Sequence, residues 1–231
     1  MRFLNSSEAT LRNNVIHDNQ ATWGGGLCFE RSPTATLKAN VIRDNVANHP
    51  GGGMKDWGGA YFLWSDNATL ISNTISGNRA ANVCGGACFR ISDHATLIGN
   101  DIKDNSAGSC GFAAAEGGGL FFEFSKNANL VNNTISGNRS HTSGGGLCIW
   151  NRSTVTLTGG TISANKAKRG GGLFVGGYSF LALSAVTVTA NSAISYPHLC
   201  FGSGQRGSGC RCDDRHRRRS APGVLWLRPW R

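Results

Sequence analysis

The chain is poor in charge, proline, methionine and tyrosine. Of 231 residues only 16% are Asp, Glu, Lys or Arg, with 5 prolines, 2 methionines and 3 tyrosines. No apolar run is long enough for a spanning helix, so no transmembrane segment is expected. Helical spacing of the apolar residues is weak. Glycine is abundant, at 33 residues, but has no period of three, which excludes collagen. A hydrophobic fraction of 39% excludes wholesale disorder. The opening residues, MRFLNSSEATL, contain no apolar stretch of the kind a signal peptide needs and leave little room for a cap. The chain therefore reads as part of a longer one.

The formal net charge of +10 suggests nucleic acid at first sight. The charges are unevenly placed. Residues 1–193 hold 15 Lys and Arg against 11 Asp and Glu, whereas residues 194–231 hold 8 Arg against 2 Asp. The excess belongs mostly to the C-terminal segment, so no nucleic-acid partner is expected for the rest.

What is present is a repeat. ATLRNNVIHDNQAT at 9–22 and ATLISNTISGNRAA at 68–81 share one pattern. The leucine recurs as Leu11, Leu37, Leu70, Leu97, Leu130, Leu157 and Leu183, at spacings of 26, 33, 27, 33, 27 and 26. Five residues on stand Ile16, Ile42, Ile75, Ile102, Ile135, Ile162 and Val188. Eight residues on stands asparagine every time: Asn19, Asn45, Asn78, Asn105, Asn138, Asn165 and Asn191. A third apolar station follows a glycine pair at Leu27, Ala60, Ala87, Leu120, Leu147 and Leu173. Within these stretches apolar residues alternate, as in Leu27 and Phe29 or Ala60 and Phe62.

Three short strands per 26–33 residues, joined by Asn and Gly turns, predict an all-β fold. It is a right-handed, single-stranded parallel β-helix of about seven rungs. Stacking places equivalent residues about 4.8 Å apart on successive rungs. Asparagine tolerates left-handed turn backbone, and its amide can donate to one rung while accepting from the next. The seven asparagines above form one predicted ladder. Asn14, Asn40, Asn73, Asn100 and Asn133 form a second, ending at Gly160.

Ile16, Asn19, Ala21 and Gly25-Gly26-Leu27, like Ile75, Asn78, Ala80 and Gly85-Gly86-Ala87, resemble the repeats of chlamydial polymorphic outer-membrane proteins. Those pair an F-x-x-N element with a G-G-A-I element. More broadly, residues 5–193 resemble β-helix repeat proteins of the pectate-lyase-like superfamily. This chain departs in carrying Ile or Val in place of Phe, and Gly-Gly-Leu as often as Gly-Gly-Ala. The resemblance implies an extracellular or cell-surface passenger, either an adhesin or a carbohydrate-active protein.

The period ends at Asn191-Ser-Ala193. Residues 1–193 are thus the expected β-helix domain. Residues 194–231 lose asparagine, gain arginine and tryptophan, and read as a disordered or out-of-frame tail. The rival reading is a functional basic tail, with RHRRR at 215–219 meeting phosphates.

Chemistry is sparse. Cys28, Cys88 and Cys148 share one slot on alternate rungs, about 9–10 Å apart and too far for a disulfide. Cys84 and Cys110 lie in turns of adjacent rungs and form a candidate disulfide. No zinc pattern and no cofactor motif is present. Asp18 and Asp44 share a slot on adjacent rungs and are a weak calcium candidate. Glu30 and Glu123 are three rungs apart, too distant to act as a glycosidase pair.

Alternation makes the residues between the inward ones face out. That stripe runs Cys28, Tyr61, Cys88, Phe121, Cys148 and Phe174, with Trp150 beside it. Tyr61, Phe121, Trp150 and Phe174 are therefore expected to form an exposed surface for sugar rings or a partner protein. The alternative is that long loops cover it. Two long turns, at 47–57 and 106–116, project from one corner, and His49, Lys55, Asp56, Trp57 and Glu116 are candidates to line a cleft there. The expected function is a non-catalytic interaction module for a glycan or surface protein. A polysaccharide lyase or hydrolase, or a structural spacer, stays open as the alternative.

Overall fold

The computed structural model describes residues 1–22, 24–48, 57–108, 117–196 and 198–201, and two further strands, Arg218–Ala221 and Val224–Leu227. Among the described residues every regular element is a strand. Among these residues no helix is long and apolar enough to cross a membrane.

One rung is a closed circuit of four short strands. Leu27–Glu30 lies in sheet 1, Thr36–Lys38 in sheet 2, Val41–Arg43 in sheet 3 and Val46–Ala47 in sheet 4. The next rung starts with Ala60–Leu63, again in sheet 1. The sheets hold 8, 9, 7 and 7 described strands. Pairing from rung to rung is parallel, with Phe29 on Phe62, Leu37 on Leu70 and Ile42 on Ile75. The fold is the expected right-handed parallel β-helix, with one more sheet per rung than the three apolar stations predict. Sheet 4 escapes the count because its strands are mostly two residues long and inward-facing only through Ala47, Ala80, Ala107, Ser140 and Ala167.

The interior is a set of ladders. Phe3, Phe29, Phe62, Phe89 and Phe122 stack face to face at 4.7–4.9 Å, with ring planes within 3–6°. That is the rung spacing itself, so one flat ring per rung fills the layer without a void.

Both asparagine ladders form. Asn105 Nδ2 donates to Ile75 O at 2.8 Å and to Asn138 Oδ1 at 3.0 Å. Its Oδ1 accepts from Asn78 N and Asn78 Nδ2, each at 3.0 Å. Each buried amide is thus fully used, which is what makes its burial tolerable. A third ladder was not expected. Ser32, Ser65, Ser92, Ser125 and Ser153 are completely buried, and each hydroxyl oxygen accepts the backbone N–H of the serine one rung earlier, at 3.0–3.1 Å. Its sequence signal was serine in register after every sheet 1 strand, overlooked beside the asparagines.

The glycine pairs mark close backbone approach. A Cβ on Gly86 would stand 2.3 Å from Gly119 O. No side chain fits there without separating the rungs.

The coil runs past the expected boundary at 193. Sheet 4 continues through Ser192–Ser195, and Leu199–Phe201 adds a parallel strand to sheet 1, with Cys200 beside Phe174. The tail's first residues therefore complete a rung, and hydrophobic Leu199 and Cys200 take the stations that the missing glycine pair concealed.

Candidate functional site

The outer face of sheet 1 is not the exposed stripe expected from alternation. Tyr61, Cys88, Phe121, Cys148 and Phe174 all point outward yet are buried, forming a second apolar cluster with Trp57, Val83, Cys84 and Cys200. Trp150 is half-buried against it, tilted on Phe174 at 5.8 Å. The cause is the passage from sheet 4 back to sheet 1. Trp57, Cys84 and Gly117 form their own rung-to-rung bridges and fold over the sheet. Trp57 stacks on Tyr61 with ring centroids 3.4 Å apart and planes within 6°. Tyr61, Phe121 and Phe174 are therefore packing residues along most of their length, and Trp57 is their cover. Alternation correctly assigns the side of a sheet; it does not say whether anything lies on that side.

Cys84 is a free thiol within this cluster and contacts Cys88, so the expected Cys84–Cys110 link is not its state here. Cys110 lies outside the described residues, as do His49, Lys55, Asp56 and Glu116. Burial pushes the Cys88 thiol well above its ordinary value, and the hydrogen bond with Cys84 adds to this. Asp18 and Asp44 share a corner as expected, but a guanidinium stands between them. Arg43 Nη1 is 2.7 Å from Asp44 Oδ2 and 3.9 Å from Asp18 Oδ2. His17 also pairs with Asp18, and that contact lowers the carboxyl's pKa. Among the described residues no three His, Cys, Asp or Glu gather around a common point.

At the N-terminal end of the covered face a cavity of about 700 Å³ opens. Arg2, Glu30, Trp57, Tyr61, Trp64 and Arg90 line it. Arg2 pairs with Glu30 at 2.5 Å. Arg90 Nε lies 3.0 Å from Glu123 Oε2, and Asn151 Nδ2 donates to Glu123 Oε1 at 2.9 Å. Two contacts hold a carboxylate that is otherwise buried. The Tyr61 hydroxyl is buried beside Arg90 without a well-aligned hydrogen bond, and burial drives its pKa far above the phenolic range. Such a hydroxyl on a cavity wall costs free energy until something supplies a better partner.

Beside this cavity runs a ridge. The corner after sheet 1 is left-handed on every rung, through Arg31, Trp64, Ile91, Phe124 and Asn151, with φ of 48–51°. The other left-handed corners mostly use Gly, Asn or Asp, which this backbone favours, or the small residues Ala and Ser. Here three successive rungs carry large apolar side chains instead. Trp64, Ile91 and Phe124 are 44%, 38% and 42% exposed. The Arg31 guanidinium lies over Trp64 at 4.9 Å. Left-handed backbone costs such residues about 1 kcal/mol or more each, and exposure returns little of it. Sequence reasoning missed this ridge, although residue types wrong for a tight turn, just before each ladder serine, were visible in it.

Residues 2–193 match the family model described as right handed beta helix region. No curated protein and no solved structure matches the chain.

Proposed function

Because the chain belongs to the right-handed β-helix family, a rigid rod with functions placed on its sides, we propose that it is a secreted or cell-surface module that binds a glycan. The site is the cavity and ridge at the N-terminal end of sheet 1. The observation that carries this reading is the ridge: strained, exposed and apolar on three consecutive rungs, next to a hydroxyl that lacks a well-aligned partner. Trp64 offers a flat face for the C–H side of a sugar ring. Glu30, Arg31 and Arg90 supply charged hydrogen-bonding groups at the rim, and Tyr61 a donor inside. The repeat pattern also supports a closer kinship with the polymorphic outer-membrane repeats, hence a place at a cell surface.

Glycan-array binding tests this. Trp64→Ala and Tyr61→Phe should each weaken capture by about tenfold or more, the loss of one good contact. Tyr61→Phe is the cleaner of the two, since it removes only an oxygen that the free protein uses poorly. Unchanged binding by both variants refutes the assignment.

A further inference from the structure

A second groove lies on a different side of the rod, on the outer face of sheet 4. It encloses about 610 Å³ and is lined by Asn48, Arg79, Ala80, Ser106, Arg139 and His141, among others. It runs along the solenoid axis across the sheet 4 strands of rungs two to five.

The ladder along this trough reads Val46, Arg79, Ser106, Arg139 and Lys166 on successive rungs. Arg79 and Arg139 are two rungs apart, about 10 Å, and Lys166 is about 5 Å beyond. All three are exposed, and none has an ion-pair partner among the described residues. Next to them Lys168 Nζ contacts His141 Nε2 at 3.0 Å. Among the described residues no carboxylate lines the groove. The acids of sheet 3 and its corner are taken by sheet 3 cations instead: Asp44 holds Arg43 and Asp101 holds Lys103, each at 2.7 Å. In a chain with 16% charged residues, unpaired cations in one row on one groove are a placement rather than a solvated average.

The geometry points to a binding site for an acidic polysaccharide lying along the solenoid axis, its carboxylate or sulfate groups on Arg79, Arg139 and Lys166. A repeating anion matches a repeating cation, and arginine takes either group through two parallel hydrogen bonds. Ser106 and Asn48 can meet hydroxyls, and Ala81 adds a small apolar side chain to the lining. A nucleic acid fits less well, because among the described residues no aromatic side chain lines the groove to stack a base.

The test titrates the full chain with polygalacturonate and with dextran sulfate, which separates carboxylate from sulfate. Uncharged dextran and single-stranded DNA serve as comparisons. Wild type should bind at least one acidic polysaccharide, less tightly as salt rises, and ignore dextran. Arg79→Gln/Arg139→Gln should weaken that binding by about tenfold or more. Arg12→Gln/Lys38→Gln removes the same charge from exposed residues of sheet 2 and should leave it unchanged. Trp64→Ala should leave it unchanged too, which separates this site from the glycan cavity. Circular dichroism checks that each variant is folded. No binding by wild type, equal loss in both charge pairs, or a preference for DNA that Arg79→Gln/Arg139→Gln removes would each overturn the inference.

Discussion

Asn105→Ala removes one link from the middle of a seven-member ladder, and its cost can be worked out bond by bond. The side chain is fully buried and makes four hydrogen bonds. Its loss leaves the Asn78 backbone N–H, one hydrogen of Asn78 Nδ2 and the Ile75 carbonyl without the partners they had. Asn138 Oδ1 keeps its bond from the Asn105 backbone N–H, so it loses only half of its acceptance. Three buried polar groups at about 1–3 kcal/mol each give about 3–6 kcal/mol, after some relaxation. That is a large share of the ordinary stability of a domain, about 5–15 kcal/mol.

Urea unfolding followed by far-ultraviolet circular dichroism measures it. Asn19→Ala is the internal control. It removes the same chemistry at an exposed end of the same ladder, where water replaces the lost partners, and should cost about 1 kcal/mol or less. In a rod whose rungs touch only their neighbours, a broken central link can also uncouple the two halves. The slope against urea would then fall together with the midpoint. A central loss below about 1 kcal/mol with an unchanged slope, or equal losses at both positions, refutes the claim that the ladder carries this load.

Three further outcomes follow from the same contacts. Gly86→Ala drives a methyl into Gly119 O and should cost about 1–3 kcal/mol by overpacking, read from the same urea midpoint; a neutral result would show that the rungs can part freely. Stability should fall at alkaline pH. The Cys28 and Cys88 thiols and the Tyr61 phenol are all raised, each mainly by burial, so the fold holds the neutral forms. The unfolded chain then releases protons first, and stability present below the ordinary 9.0 of the thiols and 10.0 of the phenol is lost above them. Tyr61→Phe should flatten the upper part of that decline, and a pH-independent midpoint contradicts it. Finally, Ile91→Asn relieves a β-branched residue at φ 49° and should raise the melting temperature, or at least not lower it. A clear drop would mean that Ile91 packs better than its exposure suggests.

The coil itself was legible because a parallel solenoid writes its three-dimensional neighbours into one-dimensional spacing. Leu37 and Leu70 are in contact because they occupy the same phase of the repeat, and the asparagine ladder follows from the same phase. Sheet 4 and the serine ladder were harder. Ala80 is too small to stand out as an apolar station, and Ser92 is a residue type common in any turn, so neither shows its burial in its chemistry. Leu199 was hidden differently: the glycine pair that announces each sheet 1 strand is absent before it, although the strand forms.

The outer face of sheet 1 shows why the candidate site was misplaced. Phe121 is outward by every periodicity argument and still buried, because burial there is decided by Trp57, Val83 and Cys84, residues of another phase that cross over it. The exposed apolar surface sits one corner further on, at Trp64, Ile91 and Phe124, where periodicity expects small turn residues. A stripe that obeys the repeat can be explained by packing alone. A stripe that violates the backbone preference of its own position needs another cause, since folding gains nothing from placing indole, sec-butyl and benzyl groups on left-handed corners in water. In a repeat protein, a position where residue type and backbone conformation disagree is therefore a better guide to a binding surface than one where hydrophobic residues merely align.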